Sequence, residues 1–130
     1  MARFGKGSKI QLETLHPWLQ EILTEAIKYV DFTVLEGHRG QEAQDQAYKL
    51  GFSKIRWPHG KHNSSPSLAV DIAPYPIVWA DTERFVYFAG WIMAIAAQKG
   101  TPLRWGGDWN RDTRVKDEKF RDWGHFELTG

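Results

Sequence analysis

Leu68-Ala69-Val70-Asp71-Ile72-Ala73 is an apolar run with one carboxylate inside it, stopped by Pro74 and Pro76. A short apolar run bounded by turn formers reads as a buried strand. On its N-terminal side, residues 53–67 are rich in Ser, Pro, Gly, His and Asn, which marks a long loop. Loops of that length in a small domain are commonly functional. Further upstream, Gln41 to Leu50 reads as a helix, polar on most faces and closed by Gly51. Phe32-Thr-Val-Leu-Glu36 is a β-prone run ending at Gly37. Leu12, Leu15, Leu19, Ile22, Leu23, Ala26, Ile27 and Val30 recur at helical spacing, which predicts one amphipathic helix over residues 11–30 with Pro17 in its first turns. Downstream, Asp81 is placed to N-cap a helix reaching about Lys99, ended by Gly100. Leu103-Arg-Trp105 and His125-Phe-Glu-Leu128 read as short strands, and the polar stretch from Asp108 to Asp122 between them as loop. This order of elements predicts an α+β fold: a small antiparallel sheet packed with helices, in a single compact domain over residues 1–130.

Composition narrows the function classes. Hydrophobic residues make up 42% and charged residues 25% of the 130, the balance of an ordinary globular chain able to bury a core. Cysteine is absent, so no disulfide staples the fold and any metal must be held by His and carboxylates. The net charge of +1 is spread over interleaved acidic and basic residues, so no basic stripe points to nucleic acid. The apolar stretch from Phe85 to Ala97 is interrupted by Gly90 and is too short to span a bilayer, so no membrane insertion is expected. Residues 1–8 carry no apolar core of a secretory signal, which predicts a chain that stays in the cytoplasm until something else releases it. Seven Trp are many for this length; most are expected in the core, with some lining a groove.

Three residues stand out chemically: His62 at the end of the long loop, Asp71 inside the apolar strand, and His125 entering the last strand. A carboxylate between Val70 and Ile72 is costly to bury unless something positive compensates it. A zinc ion would do so, and two histidines would complete a three-ligand set that leaves a position open, as catalytic zinc sites do. Plainer readings exist for each residue. Asp71 could face solvent or pair with Arg39, His125 could be a hydrogen-bonded core histidine, and His62 a surface residue. His59 competes with His62 as a ligand, Asp122 could cap a turn, Arg39 could serve a salt bridge, and His16 is expected on the surface.

The segment Lys61-His62-Asn-Ser-Ser-Pro-Ser-Leu-Ala69-Val-Asp71-Ile-Ala-Pro74 resembles the Ser-x-His…Ala-x-Asp zinc motif of D-alanyl-D-alanine and L-alanyl-D-glutamate peptidases. Asp122-Trp-Gly-His125 resembles their closing (Asp/Glu)-x-x-His motif. Glu36-Gly-His-Arg39, with Gln44 downstream, is similar to the family segment that carries a substrate-binding arginine, and Leu103 to Trp109 to a segment common in the phage branch. The resemblance runs from about Phe32 to the end of the chain. It departs from the pattern at Gly60, where the short motif has Ser, at Leu68, in the longer His62-to-Asp71 interval, and at Asp122, where the dipeptidase branch has Glu.

The resemblance implies Zn2+ held by His62, Asp71 and His125, with Asp122 as general base and Arg39 binding the scissile carbonyl or a substrate carboxylate. It further implies a peptidase of peptidoglycan stem peptides that cuts between L-Ala and D-Glu. A monomer without a separate wall-binding domain is expected, reaching the periplasmic wall from the host cytoplasm to cause lysis. The alternatives are a carboxypeptidase that trims stem peptides and a metal-containing wall-binding module that cleaves nothing.

Overall fold

The computed structural model describes residues 2–130. Its elements in chain order are α1 (Lys6–Leu12), α2 (Pro17–Ala26), β1 (Phe32–Glu36), α3 (Gln41–Lys49), a 3-10 turn (Lys61–Asn63), β2 (Ala69–Pro74), α4 (Thr82–Gln98), β3 (Leu103–Trp105) and β4 (His125–Leu128). The strands form one antiparallel sheet in the order β1-β2-β4-β3. The fold is therefore α+β, as the sequence predicts.

The single helix expected over residues 11–30 is instead two helices. Pro17 has no N–H and its ring crowds the preceding turn, so it takes the first position of a new helix rather than an interior one. The His16 ring caps that helix, its Nδ1 accepting from the Trp18 N–H at 3.1 Å. Between the helices, Leu15 bridges to Ser67: His16 N–H donates to the Ser67 carbonyl and Ser67 N–H to the Thr14 carbonyl, both at 2.9 Å. The other two helices follow the expected boundaries. Gly51 and Gly100 sit just past α3 and α4 with φ of +80° and +69°, a backbone that glycine adopts without strain. Asp81 caps α4, its Oδ1 accepting from Arg84 N–H at 3.3 Å.

Strand alternation divides the sheet into two chemically different faces. Phe32, Val34, Val70, Ile72, Leu103, Trp105, Phe126 and Leu128 belong to the buried core, together with Leu19, Ile22 and Leu23 of α2 and Phe88, Ile92 and Ile95 of α4. The residues between them include Asp71 on β2, Arg104 on β3, and His125 and Glu127 on β4. Register brings these together across the sheet, with Asp71 opposite His125 and Arg104 opposite Glu127.

One irregularity alters which residues reach that polar face. Phe32 to Val34 pair with Pro74 to Ile72, but Glu36 pairs with Asp71, so Leu35 is an extra residue in β1. Partners directly opposite each other project to the same face, and a one-residue shift reverses faces. Without the bulge at Leu35, Glu36 would oppose Val70 and point into the core. With it, Glu36 stands beside Asp71.

Candidate active site

His62, Asp71 and His125 converge on the polar face, and one ligand-type atom from each lies within 4.8 Å of the other two. Asp71 Oδ1 is 3.3 Å from His62 Nε2 and 3.1 Å from His125 Nδ1. Strand β2 supplies the carboxylate and β4 the second imidazole. The first comes from the 3-10 turn, which Asn63 pins down. Asn63 Oδ1 accepts from Gly60 N–H at 2.9 Å, and its Nδ2 donates to the Arg39 carbonyl and to Gln44 Oε1, each at 3.1 Å.

The far side of each imidazole is also held. His62 Nδ1 donates to the Gly37 carbonyl at 2.7 Å, and His125 Nε2 donates to Glu127 Oε1 at 2.8 Å. A carbonyl and a carboxylate accept and never donate, so each ring spends its N–H there. In the neutral rings the nitrogens facing Asp71 then carry lone pairs, and three lone-pair donors meet at one point. Such a set requires either extra protons or a cation. The nitrogen–oxygen donor set, with both imidazoles oriented by outer acceptors, fits a divalent metal such as zinc.

The electrostatics follow from the same contacts. Burial opposes the charge on Asp71, but hydrogen bonds and charge from His125 and His62 outweigh it and hold the carboxyl well below its usual range. Burial also opposes an imidazolium at His125, yet Asp71 and Glu127 push its pKa up to about 9. Glu127 is driven down to about 2 against its own burial, by His125 and by Arg104, whose guanidinium lies 2.8 Å from Glu127 Oε2. Asp122 moves the other way: burial and then the charge of Asp71 raise it, only partly offset by His125 and His62.

A cleft of about 640 Å³ opens over this cluster, and Asp122 and Arg39 line it together with the three candidate ligands. Asp122 is fixed by backbone pairing: its N–H donates to the Gly106 carbonyl at 2.9 Å, and Gly106 N–H donates to the His125 carbonyl at 2.8 Å. A Cβ on Gly106 would stand 2.3 Å from the Asp122 carbonyl oxygen, so only glycine permits that approach. Arg39 is held by Glu36, which accepts from both its Nε and a terminal nitrogen. Its other terminal nitrogen donates to Gln44 Oε1 at 3.1 Å, and the guanidinium also lies 3.6 Å from Asp71 Oδ2. The pairing of Asp71 with Arg39, weighed above as an alternative to metal binding, thus coexists with the histidine cluster. His59 is absent from the cluster, His16 caps α2, and Trp109 lines the cleft while Trp105 is core.

Two supporting residues, Glu127 and Arg104, have no part in the sequence reading of the site, and Gln44 enters it only as a neighbour of the arginine segment. Glu127 was legible in principle, because His125-x-Glu127 is the spacing that places two residues on one face of a strand, while Arg104 reaches it only through the β3–β4 register. Gln44 is 1% exposed in an otherwise polar helix. Its amide is fully used, accepting from Arg39 and Asn63 and donating to Ser53 Oγ at 3.0 Å and the Ile55 carbonyl at 2.5 Å. Only contacts made after folding reveal it as the tie between Arg39, the 3-10 turn and the loop after α3.

The sequence matches, over residues 1–129, the family described as phage L-alanyl-D-glutamate peptidase. It is 35% identical to the L-alanyl-D-glutamate peptidase of Escherichia phage T5, over 97% of each chain. The crystal structure of the Serratia marcescens L-Ala D-Glu endopeptidase ChiX superposes with a TM-score of 0.77 at 26% identity, covering 98% of this chain and 90% of that one.

Proposed function

The chain belongs to the phage L-alanyl-D-glutamate peptidase family, and from that premise we propose that it hydrolyses the L-Ala–D-Glu bond of peptidoglycan stem peptides at the cleft over His62, Asp71 and His125. The observation that carries the reading is the convergence of three lone-pair donors under a cleft that also holds a carboxylate of raised pKa. In this reading His62 Nε2, Asp71 and His125 Nδ1 hold zinc. When bound, zinc supplies Lewis acidity, polarising the scissile carbonyl and making a water acidic enough to attack near neutral pH.

The chain's own residues do the rest. Asp122 accepts the proton of the attacking water and passes it to the leaving amine; its raised pKa brings it closer to the range in which a carboxylate does both. Arg39 receives the scissile carbonyl or a substrate carboxylate, its guanidinium pre-oriented by Glu36 and Gln44. Glu127 fixes the tautomer of His125, and the Gly37 carbonyl that of His62. The whole of residues 1–130 works as one catalytic unit, as a monomer, and its partner is the cell wall. Among the described residues no helix is long and apolar enough to cross a membrane. Synthesis in the host cytoplasm, followed by release to the wall and lysis, is the course this reading gives.

The direct test is mass spectrometry of purified peptidoglycan after incubation with zinc-loaded protein. New D-Glu amino termini paired with L-Ala carboxyl ends are expected. Released terminal D-amino acids would move the activity to a carboxypeptidase, and no new termini at all would leave only a binding role. The residue roles separate in variants: Asp122→Ala should retain one equivalent of zinc while losing about 10²–10⁴-fold in rate. His62→Ala, Asp71→Ala and His125→Ala should instead lose the metal itself.

A further inference from the structure

Five cationic side chains line the cleft, and they are not equivalent. Arg39 is paired with Glu36 and Asp71, Lys61 lies 3.7 Å from Glu127, and Arg104 lies 2.8 Å from the same carboxylate. Lys54 and Arg121 form no ion pair among the described residues. Lys54 Nζ stands over the Phe120 ring, 4.4 Å from its centroid. Arg121 lies over the Trp123 ring at 5.7 Å and donates to the Lys116 carbonyl at 3.4 Å. Both side chains are exposed, so neither charge is neutralised by burial or by a partner.

Their position is as informative as their freedom. Arg121 directly precedes Asp122, and Lys54 rests on Phe120, the residue before Arg121. Both cations therefore flank the segment that carries the proposed proton donor to the leaving amine. That amine belongs to the D-glutamyl residue, which has two carboxyl groups. Whichever of them continues the peptide, the other remains free, two or four bonds from the scissile nitrogen, and is ionised at neutral pH. An aromatic face holds an exposed ammonium weakly, whereas a carboxylate offers it a charge-assisted hydrogen bond.

Resting on the proposed L-Ala–D-Glu reading, we propose that Lys54 and Arg121 form a carboxylate-recognition subsite on the leaving side of the cleft, which selects stem peptides whose D-Glu carboxylate is free over those in which it is amidated. The pair determines specificity rather than performing the chemistry. Lys54 leaves the Phe120 ring to meet the substrate, and Arg121 closes on the same anion.

The test uses three N-acylated L-Ala–D-Glu–diamino acid peptides: one with all carboxylates free, one with the free D-Glu carboxylate amidated, and one with only the diamino acid's carboxylates amidated. Zinc-loaded wild type is expected to cleave the first and third alike, and the second about tenfold or more slowly in kcat/KM, carried mostly by KM. The Lys54→Met, Arg121→Gln double variant should bring the first peptide down to the rate of the second while leaving the second unchanged, with wild-type zinc content. Lys54→Arg alone should keep most of the preference. An unchanged preference in the double variant, or equal cleavage of the first two peptides by wild type, overturns the subsite while the peptidase reading stands. Slow cleavage of the third peptide alongside fast cleavage of the second instead assigns the cations to the diamino acid and overturns the D-Glu assignment. Cleavage of none of the peptides by zinc-loaded wild type overturns the functional reading itself.

Discussion

His125 is the residue at which the chemistry of this protein is most concentrated. Its two ring nitrogens face Asp71 at 3.1 Å and Glu127 at 2.8 Å, so without a metal the ring keeps both protons. The consequence for stability can be signed. The folded pKa of about 9 lies above the ordinary imidazole value of 6.5, so this contribution is fully present below about pH 6.5 and is lost as pH rises through 9. Glu127, lowered from 4.5 to about 2, contributes above pH 4.5 and loses that contribution as pH falls through 2. The metal-free protein should therefore show its highest urea midpoint between about pH 4.5 and 6.5 and a declining midpoint towards pH 9. The zinc-loaded protein should not decline over that alkaline range, since metal binding displaces the proton between His125 and Asp71. Urea titrations with and without chelator check this. A flat metal-free curve from pH 5 to 9 would mean that His125 is not held as an imidazolium.

Among the elements, the short helix α1 carries more of the site than its length suggests. Ser8 Oγ accepts the Val34 N–H at 3.0 Å on the outer edge of β1. Gln11 Oε1 accepts from Gly37 N–H at 3.0 Å, and Thr14 Oγ1 just beyond the helix accepts from His38 N–H at 2.9 Å. This fixes the corner whose Gly37 carbonyl orients His62. A Cβ on Gly37 would lie 2.2 Å from Thr14 Oγ1 and 2.9 Å from the Gln11 carbonyl oxygen. Gly37→Ala should accordingly cost about 1–3 kcal/mol in chemical denaturation and weaken zinc binding. The control is Asp81→Ala, which removes a cap remote from the cleft: about 1 kcal/mol of stability, with zinc affinity unchanged. Neither α1 nor the break at Pro17 was legible in the sequence. The apolar spacing from Leu12 to Val30 is continuous, and Leu15 is buried although it sits between helices, so periodicity could not mark the interruption. The strands were legible because Phe32–Glu36, Leu68–Ala73 and His125–Leu128 are bounded by turn formers. The convergence of His62, Asp71 and His125 was legible because an acid inside an apolar strand demands a counter-charge. The contacts of Glu36, Gln44 and Asn63 depend on the bulge and on turn geometry, which emerge only on folding, whereas the place of Glu127 follows from its spacing to His125.

For the molecule as a whole, the sheet separates two tasks. One face is sealed by α2 and α4 with residues such as Ile22, Ile72, Ile92 and Phe126, all at 0% exposure, and the other carries every candidate ligand that a strand supplies. Metal removal should then disturb one face and spare the other. Chelation is expected to abolish cleavage and to lower Tm by roughly 10–20 °C, the counterpart of about 4 kcal/mol when free zinc stands a thousandfold above its Kd. Far-UV circular dichroism should stay native-like at 20 °C. A chelated chain that is unfolded at that temperature would show instead that the metal holds the core together. The bulge in β1 gives this two-faced design one spare place in its coding sequence. Leu35 is 37% exposed and touches none of the chemistry, so a scan that exchanges one amino acid for another would pass over it as unimportant. It occupies one place more than the ladder needs. Removing that codon in frame would bring the following carboxylate into the vacated place, still opposite Asp71, so here the loss of a whole codon mends the pairing instead of breaking it.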